Sequence, residues 1–282
     1  MKQLRYILIS LVFLAACGDD VPTDYKPDVV LEAVLLVGEP IQNIAVLKTQ
    51  PISAKYNHYQ AFIKNAEVLV KGDGHVFPLL FNYDTLKPGY YYPDANYKVK
   101  PNTEYSIEVK LPDGKILSGK TTTPSEIFWQ TRVNKTIQYP KDTINLPQSD
   151  SISWTRAPGF DYYIIVETCL DTLEYGKYLE PPTNEKNRRV YNPFINENRY
   201  KEQSVSGLIP NTKTRVVWSA FKWFGKHEVT IMAADWNLVR WYLQNVGVNS
   251  VNPLLGSVEG GIGVVGSAYA IRDTFMLLKN QP

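Results

Sequence analysis

The stretch EYSIEVKL, residues 104–111, decides the fold class, because apolar and polar residues alternate along its whole length. Its odd-numbered positions are apolar, and its even-numbered positions are polar or charged. A period of two is typical of a β-strand that buries one face and exposes the other. Asp113-Gly114 follows as a turn signal, and Ile116 to Thr122 supplies a partner strand, so the sequence predicts a β-hairpin.

The residues that lead into this strand carry a second structural signal. Val99 to Tyr105 resembles the turn that opens a late strand in fibronectin type III domains and related β-sandwiches. In those domains a tyrosine at this place hydrogen-bonds through its hydroxyl to the backbone of the corner. The resemblance implies this structural role for Tyr105.

A second segment of similar character follows Thr121 to Ser125, where we place a domain boundary. Ile152 to Trp154 and Tyr162 to Leu170 resemble the B and C strands of a fibronectin-like sandwich, which implies that Trp154 lies in its core. Alternation along the second of these strands places Cys169 opposite the apolar face, so we expect this thiol to be only partly covered.

The period changes near the end of the chain. Asp235 is a good helix N-cap, and apolar residues follow it at helical spacing, so we predict one helix over about 235–246. The chain is thus predicted to be all-β, with two immunoglobulin/fibronectin-like β-sandwich domains at 28–124 and 125–282. The helix packs on the second domain.

The N-terminus reads as a targeting signal. Lys2 and Arg5 precede an 11-residue, largely apolar stretch, which is too short to span a bilayer core of about 20 apolar residues. The stretch ends at Leu14 to Gly18, which resembles a bacterial lipobox with Cys17 as the acylated residue. We therefore expect a lipoprotein signal peptide at 1–16 and a lipid-anchored tether at 17–27.

The residue after the lipobox cysteine bears on location. Gly18 stands there, and the absence of an aspartate directly after the cysteine favours the outer membrane. Acyl chains on Cys17 would make the lipid bilayer the first partner of the protein. The sequence leaves open whether the protein faces the periplasm or the cell surface.

Composition excludes several classes of protein. The 282 residues are 44% hydrophobic and 21% charged, which is ordinary globular usage and excludes a disordered or multi-span membrane chain. Removing Lys2 and Arg5 with the signal peptide leaves 28 basic residues against 28 acidic ones. A neutral chain lacks the electrostatic field that attracts nucleic acid, so no nucleic-acid partner is expected.

Motifs for catalysis, metals and cofactors are missing from the sequence. The three histidines, His58, His75 and His227, are far apart and lack metal-ligand spacing. Gly261 to Gly266 matches a dinucleotide-binding pattern, but only sixteen residues follow it, whereas that motif opens a helix early in a βαβ unit. The glycines are better suited to tight turns and close backbone approach. We therefore expect no catalytic residue, no metal and no cofactor.

A long polar stretch from Asp171 to Gln203 is the strongest sequence candidate for a binding surface. Loops of this length in compact domains are usually functional or disordered, and aromatics and arginines are common interface anchors. The candidate anchors are Arg188, Arg189, Tyr191, Phe194 and Tyr200. In the alternative interpretation, the aromatics pack back onto the sandwich and the arginines are solvated.

Several short motifs together resemble one bacterial family. They are Asn252-Pro253-Leu254, the run Val258 to Gly266, Lys64-Asn65-Ala66 and Pro88 to Tyr91, together with the lipobox. This set is similar to the lipoprotein family catalogued as domain of unknown function 4249, with Val265 standing where that family usually has an aromatic residue. The resemblance implies an accessory lipoprotein that neighbours a TonB-dependent outer-membrane receptor.

Three functions remain open at this point. The first is a non-enzymatic binding module that works with a TonB-dependent transporter. The second is an envelope structural or adhesion lipoprotein without a small-molecule ligand. The third is a hydrolase whose site is assembled only in the folded chain.

Overall fold

The computed structural model describes residues 25–142, 145–170, 174–188, 190, 203–247 and 256–279. Strands dominate these residues, which confirms the predicted all-β fold. In chain order the strands are β1 Val29–Leu36, β2 Ala45–Lys48, β3 Glu67–Gly72, β4 His75–Asn82, β5 Gly89–Tyr91, β6 Glu104–Lys110, β7 Ile116–Thr122, β8 Trp129–Thr131, β9 Thr136–Gln138, β10 Ser151–Trp154, β11 Tyr163–Cys169, β12 Gln203–Ile209, β13 Lys213–Arg215, β14 Gly225–Ala234 and β15 Ile262–Leu278.

Two α-helices accompany the strands within the described ranges. The first, α1 (His58–Ala61), is a single turn capped by Asn57, whose side chain accepts a hydrogen bond from the Gln60 N–H. The second, α2 (Trp236–Gly247), is the helix predicted from the change of period. In the described part of the chain, no helix is long and apolar enough to cross a bilayer.

A seven-stranded sheet runs through the whole molecule. Its order is β12-β11-β14-β15-β1-β2, and β9 pairs with the far end of β15. The long strand β15 holds this sheet together, because its first part pairs in parallel with β1 and its later part pairs antiparallel with β14.

The N-terminal sandwich closes over one end of this sheet. A five-stranded antiparallel sheet, β5-β4-β3-β6-β7, packs its apolar face against β1 and β2. The alternation at 104–111 fits this packing, because Tyr105, Ile107 and Val109 are fully buried while their even-numbered neighbours face outward. The predicted hairpin is confirmed by the β6–β7 pairing, in which Lys110 lies opposite Ile116.

The C-terminal sandwich closes over the other end of the seven-stranded sheet. A three-stranded sheet, β13-β10-β8, covers β11, β14 and β15. Ile231 and Ala233 of β14 point into this core, whereas Met232 and Ala234 point to the opposite face, where α2 packs. The prediction of two sandwich cores with one packed helix is confirmed.

The two sandwiches are not separate in space. Val265 of β15 lies in the N-terminal core, and Phe275 and Leu277 of the same strand lie in the C-terminal core. A boundary at 124/125 therefore divides the two covering sheets between the domains, but the seven-stranded sheet contributes strands to both cores. Sequence alternation could not show this, because it reports which face of a strand is buried and not which strand lies beside it.

One expectation about a single residue is wrong. Cys169 is buried, and its thiol lies 3.6 Å from the carbonyl oxygen of Phe224. The reason is that β11 is an inner strand covered on both faces, by the C-terminal core on one and by α2 on the other. Near-continuous burial of this kind hides the period-two pattern on which the expectation rested.

Candidate functional site

A groove of about 970 Å³ opens between the N-terminal sandwich and the start of α2. Its floor is the polar face of the β6–β7 hairpin, where the register places Glu104 opposite Thr122 and Glu108 opposite Ser118. The facing wall comes from the loop before β11, the end of β14 and the first turn of α2. The outward face of the stretch at 104–111 therefore lines this groove.

A buried hydrogen-bond network links the β6–β7 floor of the groove to its facing wall. Thr121 Oγ1 donates to Asp235 Oδ2 over 2.6 Å, and Thr121 Oγ1 also lies 2.7 Å from Ser267 Oγ. All three side chains are buried. Because each of these polar groups has a partner, the network avoids the desolvation cost of an unsatisfied group. It connects β7, β15 and the start of α2.

Asp235 also begins the helix. Its Oδ1 accepts a hydrogen bond from the Leu238 N–H at 2.9 Å, which is the capping contact expected from the sequence. Burial raises the pKa of this carboxyl, and the hydrogen bonds from Thr121 and from the backbone offset the rise only in part. Both carboxylate oxygens are thus engaged in structural contacts.

Asn237 adds a second connection between the walls. Its Nδ2 donates to the carbonyl oxygens of Lys120 on β7 and Val265 on β15, at 2.8 and 2.9 Å. One amide group thereby joins α2 to one strand of each sheet. These bonds and the Thr121 network thus link the β6–β7 side of the groove to the α2 side.

Two aromatic rings are presented at the wall of the groove. Trp236 is 54% exposed, and its ring centroid lies 5.6 Å from that of half-buried Tyr162 at an angle of 38°. An exposed tryptophan paired with a tyrosine supplies apolar contact area at a small entropic cost. Such a pair is suited to contact a ligand.

Acidic side chains outnumber basic ones around the groove. Among the described residues that line it, Lys120 is the one basic side chain, against five acidic ones, Glu104, Glu108, Asp161, Asp235 and Glu259. Asp161 forms an ion pair with Arg156, and Glu108 forms one with Lys71 at 3.2 Å. The excess of carboxylates gives the groove a negative potential, although the mature chain is predicted to be neutral.

In the part of the chain that the structure describes, neither a metal-type cluster nor a histidine lines the groove. Within the described ranges, no cluster of three or more His, Cys, Asp or Glu side chains could hold a metal ion. His227 is buried away from the groove, stacks on Phe275 and lies 2.9 Å from the Gly225 carbonyl oxygen through Nδ1. Burial lowers the pKa of His227 to about 4, so this side chain is a neutral core residue at ordinary pH.

The candidate anchors of the Asp171 to Gln203 loop fall mostly outside the described residues. The described residues do not include four of these anchors, Arg189, Tyr191, Phe194 and Tyr200. The lipobox cysteine, Cys17, also lies outside the described residues. Arg188 is described: it is exposed, and its guanidinium lies 4.8 Å from the ring centroid of Phe224.

The described first part of this loop packs on the C-terminal sandwich. Tyr175 and Val190 are buried, and Glu185 pairs with Lys279 at 2.5 Å. The loop leaves the end of β11 that is opposite to Tyr162, so the structure does not bring Arg188 together with the groove. Whether the remainder of the loop contacts a partner stays a prediction.

The two residues given structural roles lie in the two cores. Tyr105 is fully buried, and its hydroxyl accepts a hydrogen bond from the Lys100 N–H at 2.9 Å, which ties it to the corner backbone. Trp154 is fully buried in the C-terminal core, 5.4 Å from the ring centroid of Tyr163. Neither side chain is free to contact a ligand.

The glycine run at 261–266 lies where the two sheets meet. Gly263 has φ +129°, and a Cβ at this position would lie 2.0 Å from the Leu31 carbonyl oxygen. At Gly261 a Cβ would lie 2.4 Å from a methyl carbon of Leu117. These residues permit close backbone approach of β15 to β1 and β7, as expected from the sequence.

Comparison with protein families agrees with this interpretation of the motifs. The family model described as "Domain of unknown function (DUF4249)" matches residues 19–268. The chain belongs to this family. The DUF4249 match includes the glycine run, the capping residue Asp235 and every residue that lines the groove.

Comparisons with individual proteins add little about this DUF4249 chain. No curated protein matches it. Among solved structures, the crystal structure of DIP-gamma IG1+IG2 is 9% identical and has a TM-score of 0.20, over 90% of this chain and 97% of that chain. A similarity this low carries no inference about function.

Sequence reasoning missed the groove for an identifiable reason. Tyr162 and Trp236 are 74 positions apart, and no local pattern reports that they meet. Two signals were nevertheless present in the sequence. One is the acidic outer face of residues 104–111, and the other is a tryptophan directly after a helix N-cap.

Proposed function

We propose that this chain is a non-enzymatic, lipid-anchored binding protein of the outer membrane that assists a TonB-dependent transporter. The observation that carries the proposal is the groove between the sandwiches, with its exposed Trp236–Tyr162 pair and its excess of carboxylates. Function on β-sandwich scaffolds usually resides in surfaces of this kind rather than in the core.

Binding accounts for the groove better than catalysis. Asp235 is occupied as a helix cap and as the acceptor of the Thr121 bond, and Asp161 and Glu108 have cationic partners. A general acid or base must reach a reacting proton; both oxygens of Asp235 are held in structural contacts, and the other two carboxylates are paired with a cation. Glu104 and Glu259 remain at the groove as acceptors for a ligand.

The charge of the groove favours a particular class of ligand. Carboxylates beside an aromatic pair attract a group that carries positive charge or several hydrogen-bond donors, because the rings also stabilise a cation over their faces. We therefore propose a cationic ligand or substrate, which the protein would hold for the transporter.

The anchor and the transporter have separate support. The lipobox at Leu14 to Gly18 supports acylation of Cys17, and Gly18 supports the outer membrane. The partner, a TonB-dependent receptor, is supported by the family resemblance. A protein held at the membrane by acyl chains needs little additional affinity to stay near such a receptor.

The test is affinity purification of the tagged, full-length chain from gently solubilised membranes. We expect a TonB-dependent receptor among the recovered proteins and labelling of the chain by an alkyne fatty acid. The matched control, Cys17→Ala, should lose the label and leave the membrane fraction. A labelled chain that recovers no receptor would contradict the accessory role and favour the alternative, an envelope structural or adhesion lipoprotein.

A further inference from the structure

The chain enters the fold beside the end of β2. The Thr49 N–H donates to the Asp28 carbonyl oxygen, and Thr49 Oγ1 accepts hydrogen bonds from the Asp28 N–H and from the Tyr25 hydroxyl, the latter at 2.5 Å. Residues 25–28 are therefore fixed to the loop that follows β2. This contact shows at which end of the N-terminal sandwich the tether leaves.

Strand register places three other segments at the same end. β6 finishes at Lys110, opposite the first residue of β7, Ile116, and β4 runs parallel to β6 through their shared neighbour β3, finishing at Asn82. Ile116 is adjacent to the start of β15, since a Cβ on Gly260 would lie 2.3 Å from the Ile116 carbonyl oxygen. A Cβ on Gly261 would lie 2.8 Å from the Val29 carbonyl oxygen, which completes the connection to the tether.

The surface formed by 25–28, 48–57, 83–87 and 112–116, here called the tether face, exposes large apolar side chains. Ile52 is fully exposed, and Leu86 is 88% exposed. Six such side chains lie on these four segments: Tyr25, Ile52, Tyr56, Tyr83, Leu86 and Ile116. Single exposed apolar residues are ordinary, but a concentration at one end of a domain marks a contact surface.

Charge on the tether face is mostly positive. Its lysines are all exposed: Lys26, Lys48, Lys55, Lys87 and Lys115. Against these five stand three aspartates, Asp28, Asp84 and Asp113. Basic residues mixed with exposed apolar and tyrosine side chains are typical of surfaces that rest in the headgroup region of a bilayer.

The length of the tether limits where this face is held. From the lipobox cysteine, Cys17, to Tyr25 the chain advances eight residues, which reach at most about 29 Å when fully extended. A tether this short keeps the tether face close to the membrane whenever Cys17 is acylated. The bilayer is therefore the partner that the face meets at the highest effective concentration.

We propose that the tether face is a membrane-contact surface, in which Ile52 and Leu86 enter the boundary between headgroups and acyl chains. The lysines contact anionic headgroups, and the tyrosines lie at the interface. This inference rests on the lipid anchor of the proposed function and adds an orientation to it. The groove lies on the outer face of β6 and β7, beside the tether face and not within it, so it stays open to solvent when the tether face contacts the membrane.

The test measures the depth of a fluorophore in the bilayer. Leu86→Cys in a Cys169→Ala background carries a nitrobenzoxadiazole group in the acylated full-length chain, inserted into vesicles of phosphatidylethanolamine and phosphatidylglycerol with nitroxide-labelled acyl chains. The matched control is Val76→Cys, which is also exposed and lies at the other end of β4, about 20 Å from Asn82. We expect quenching at position 86 to exceed that at position 76 several-fold.

Equal, weak quenching at both positions in vesicle-bound protein would overturn the membrane contact and indicate a protein partner for this face, while the anchor itself would stand. A chain that takes up no fatty-acid label would overturn the anchor.

In that case the unacylated Cys17→Ser chain decides the question by its partitioning onto the same vesicles. We expect the Ile52→Ser, Leu86→Ser variant to partition about tenfold more weakly, and the control Val76→Ser, Leu170→Ser, at two exposed apolar positions away from the tether face, to be unchanged. Equal losses, or no partitioning of the Cys17→Ser chain, would overturn the proposal.

Discussion

Thr121 and Asp235 are 114 residues apart in the chain and are joined by a buried 2.6 Å hydrogen bond. Thr121 lies on the last strand of the N-terminal sandwich, and Asp235 begins the helix that packs on the C-terminal half of the shared sheet. The bond therefore connects the two sandwiches at the groove. Its removal should weaken both the helix and the contact between the halves.

We expect Asp235→Ala to reduce the free energy of unfolding by about 2–4 kcal/mol, because it removes a helix cap and one of the two hydrogen-bond partners of the buried Thr121 hydroxyl. Urea denaturation followed by circular dichroism measures this change. The control is Asp161→Ala, which breaks an exposed ion pair with Arg156 and should cost at most about 1 kcal/mol. Equal losses in the two variants would contradict the connecting role of Asp235.

We expect Gly263→Ala to cost more than about 4 kcal/mol or to prevent folding, because the new Cβ would meet the Leu31 carbonyl oxygen at 2.0 Å in a backbone conformation that side chains avoid. Gly114→Ala is the control: it has φ +87° but open space around the Cβ, so only backbone strain of about 1–2 kcal/mol is added. Yields of soluble protein and thermal melting compare the two, and a similar melting temperature for both would argue against close packing of β15 on β1.

The two glycine positions also show what the sequence could and could not predict. Turn glycines such as Gly114 are visible in the sequence because the turn is local, and so are the 104–111 alternation and the Asp235 cap. The pairing of β1 with β15 joins residues more than 230 positions apart, such as Leu31 and Gly263. No periodicity encodes such a partner, so the shared sheet and the groove beside it could not be foreseen.

We expect the stability of the protein to fall by about 3 kcal/mol between pH 6.5 and pH 4 through His227, whose pKa in the folded state is about 4 against 6.5 in the unfolded chain. In this pH window His227 is protonated in the unfolded chain but stays neutral in the folded protein, so acid favours unfolding. Denaturant titrations at several pH values measure the slope, which His227→Phe should flatten and the exposed-site control His75→Gln should keep.

Other acids with shifted pKa values do not obscure this comparison. Desolvation raises the pKa of buried Asp235 and of Glu32, so their contributions increase stability as the pH falls through the same range. Both residues are present in the His227→Phe chain as well, and their effects cancel in the difference between the two slopes. An unchanged slope in that variant would show that His227 is not buried in its neutral form.

We expect the long loop and the groove to serve different partners. Replacing residues 191–201 with a short Gly-Ser link removes the candidate anchors Tyr191, Phe194 and Tyr200 while keeping buried Val190 and strand β12. If these anchors contact the receptor, affinity should fall about thirtyfold or more, and the receptor should be lost from the affinity purification. A folded, acylated variant that recovers the receptor in full would show that this part of the loop is only solvated.

The groove should bind cations through Glu104 and Glu259, the two lining carboxylates to which no ion pair is assigned above. Because the mature chain is predicted to be neutral, a short oligolysine peptide has no strong attraction to the protein as a whole, and its affinity reports the local potential at the groove. Glu104→Gln together with Glu259→Gln removes two of the five acidic side chains that line it. At about 1 kcal/mol for each charge near the surface, the double variant should bind the peptide about thirtyfold more weakly at low ionic strength.

The control for this measurement must change net charge equally. Glu174→Gln with Glu180→Gln removes two exposed carboxylates far from the groove and should leave the affinity nearly unchanged. Isothermal titration calorimetry at two salt concentrations separates the effects, because screening should weaken binding to the native groove more than binding to the Glu104/Glu259 variant. If both double variants lose affinity equally, the affinity of the peptide depends only on the total charge of the protein. The groove would then not be the cation-binding surface that the proposed function requires.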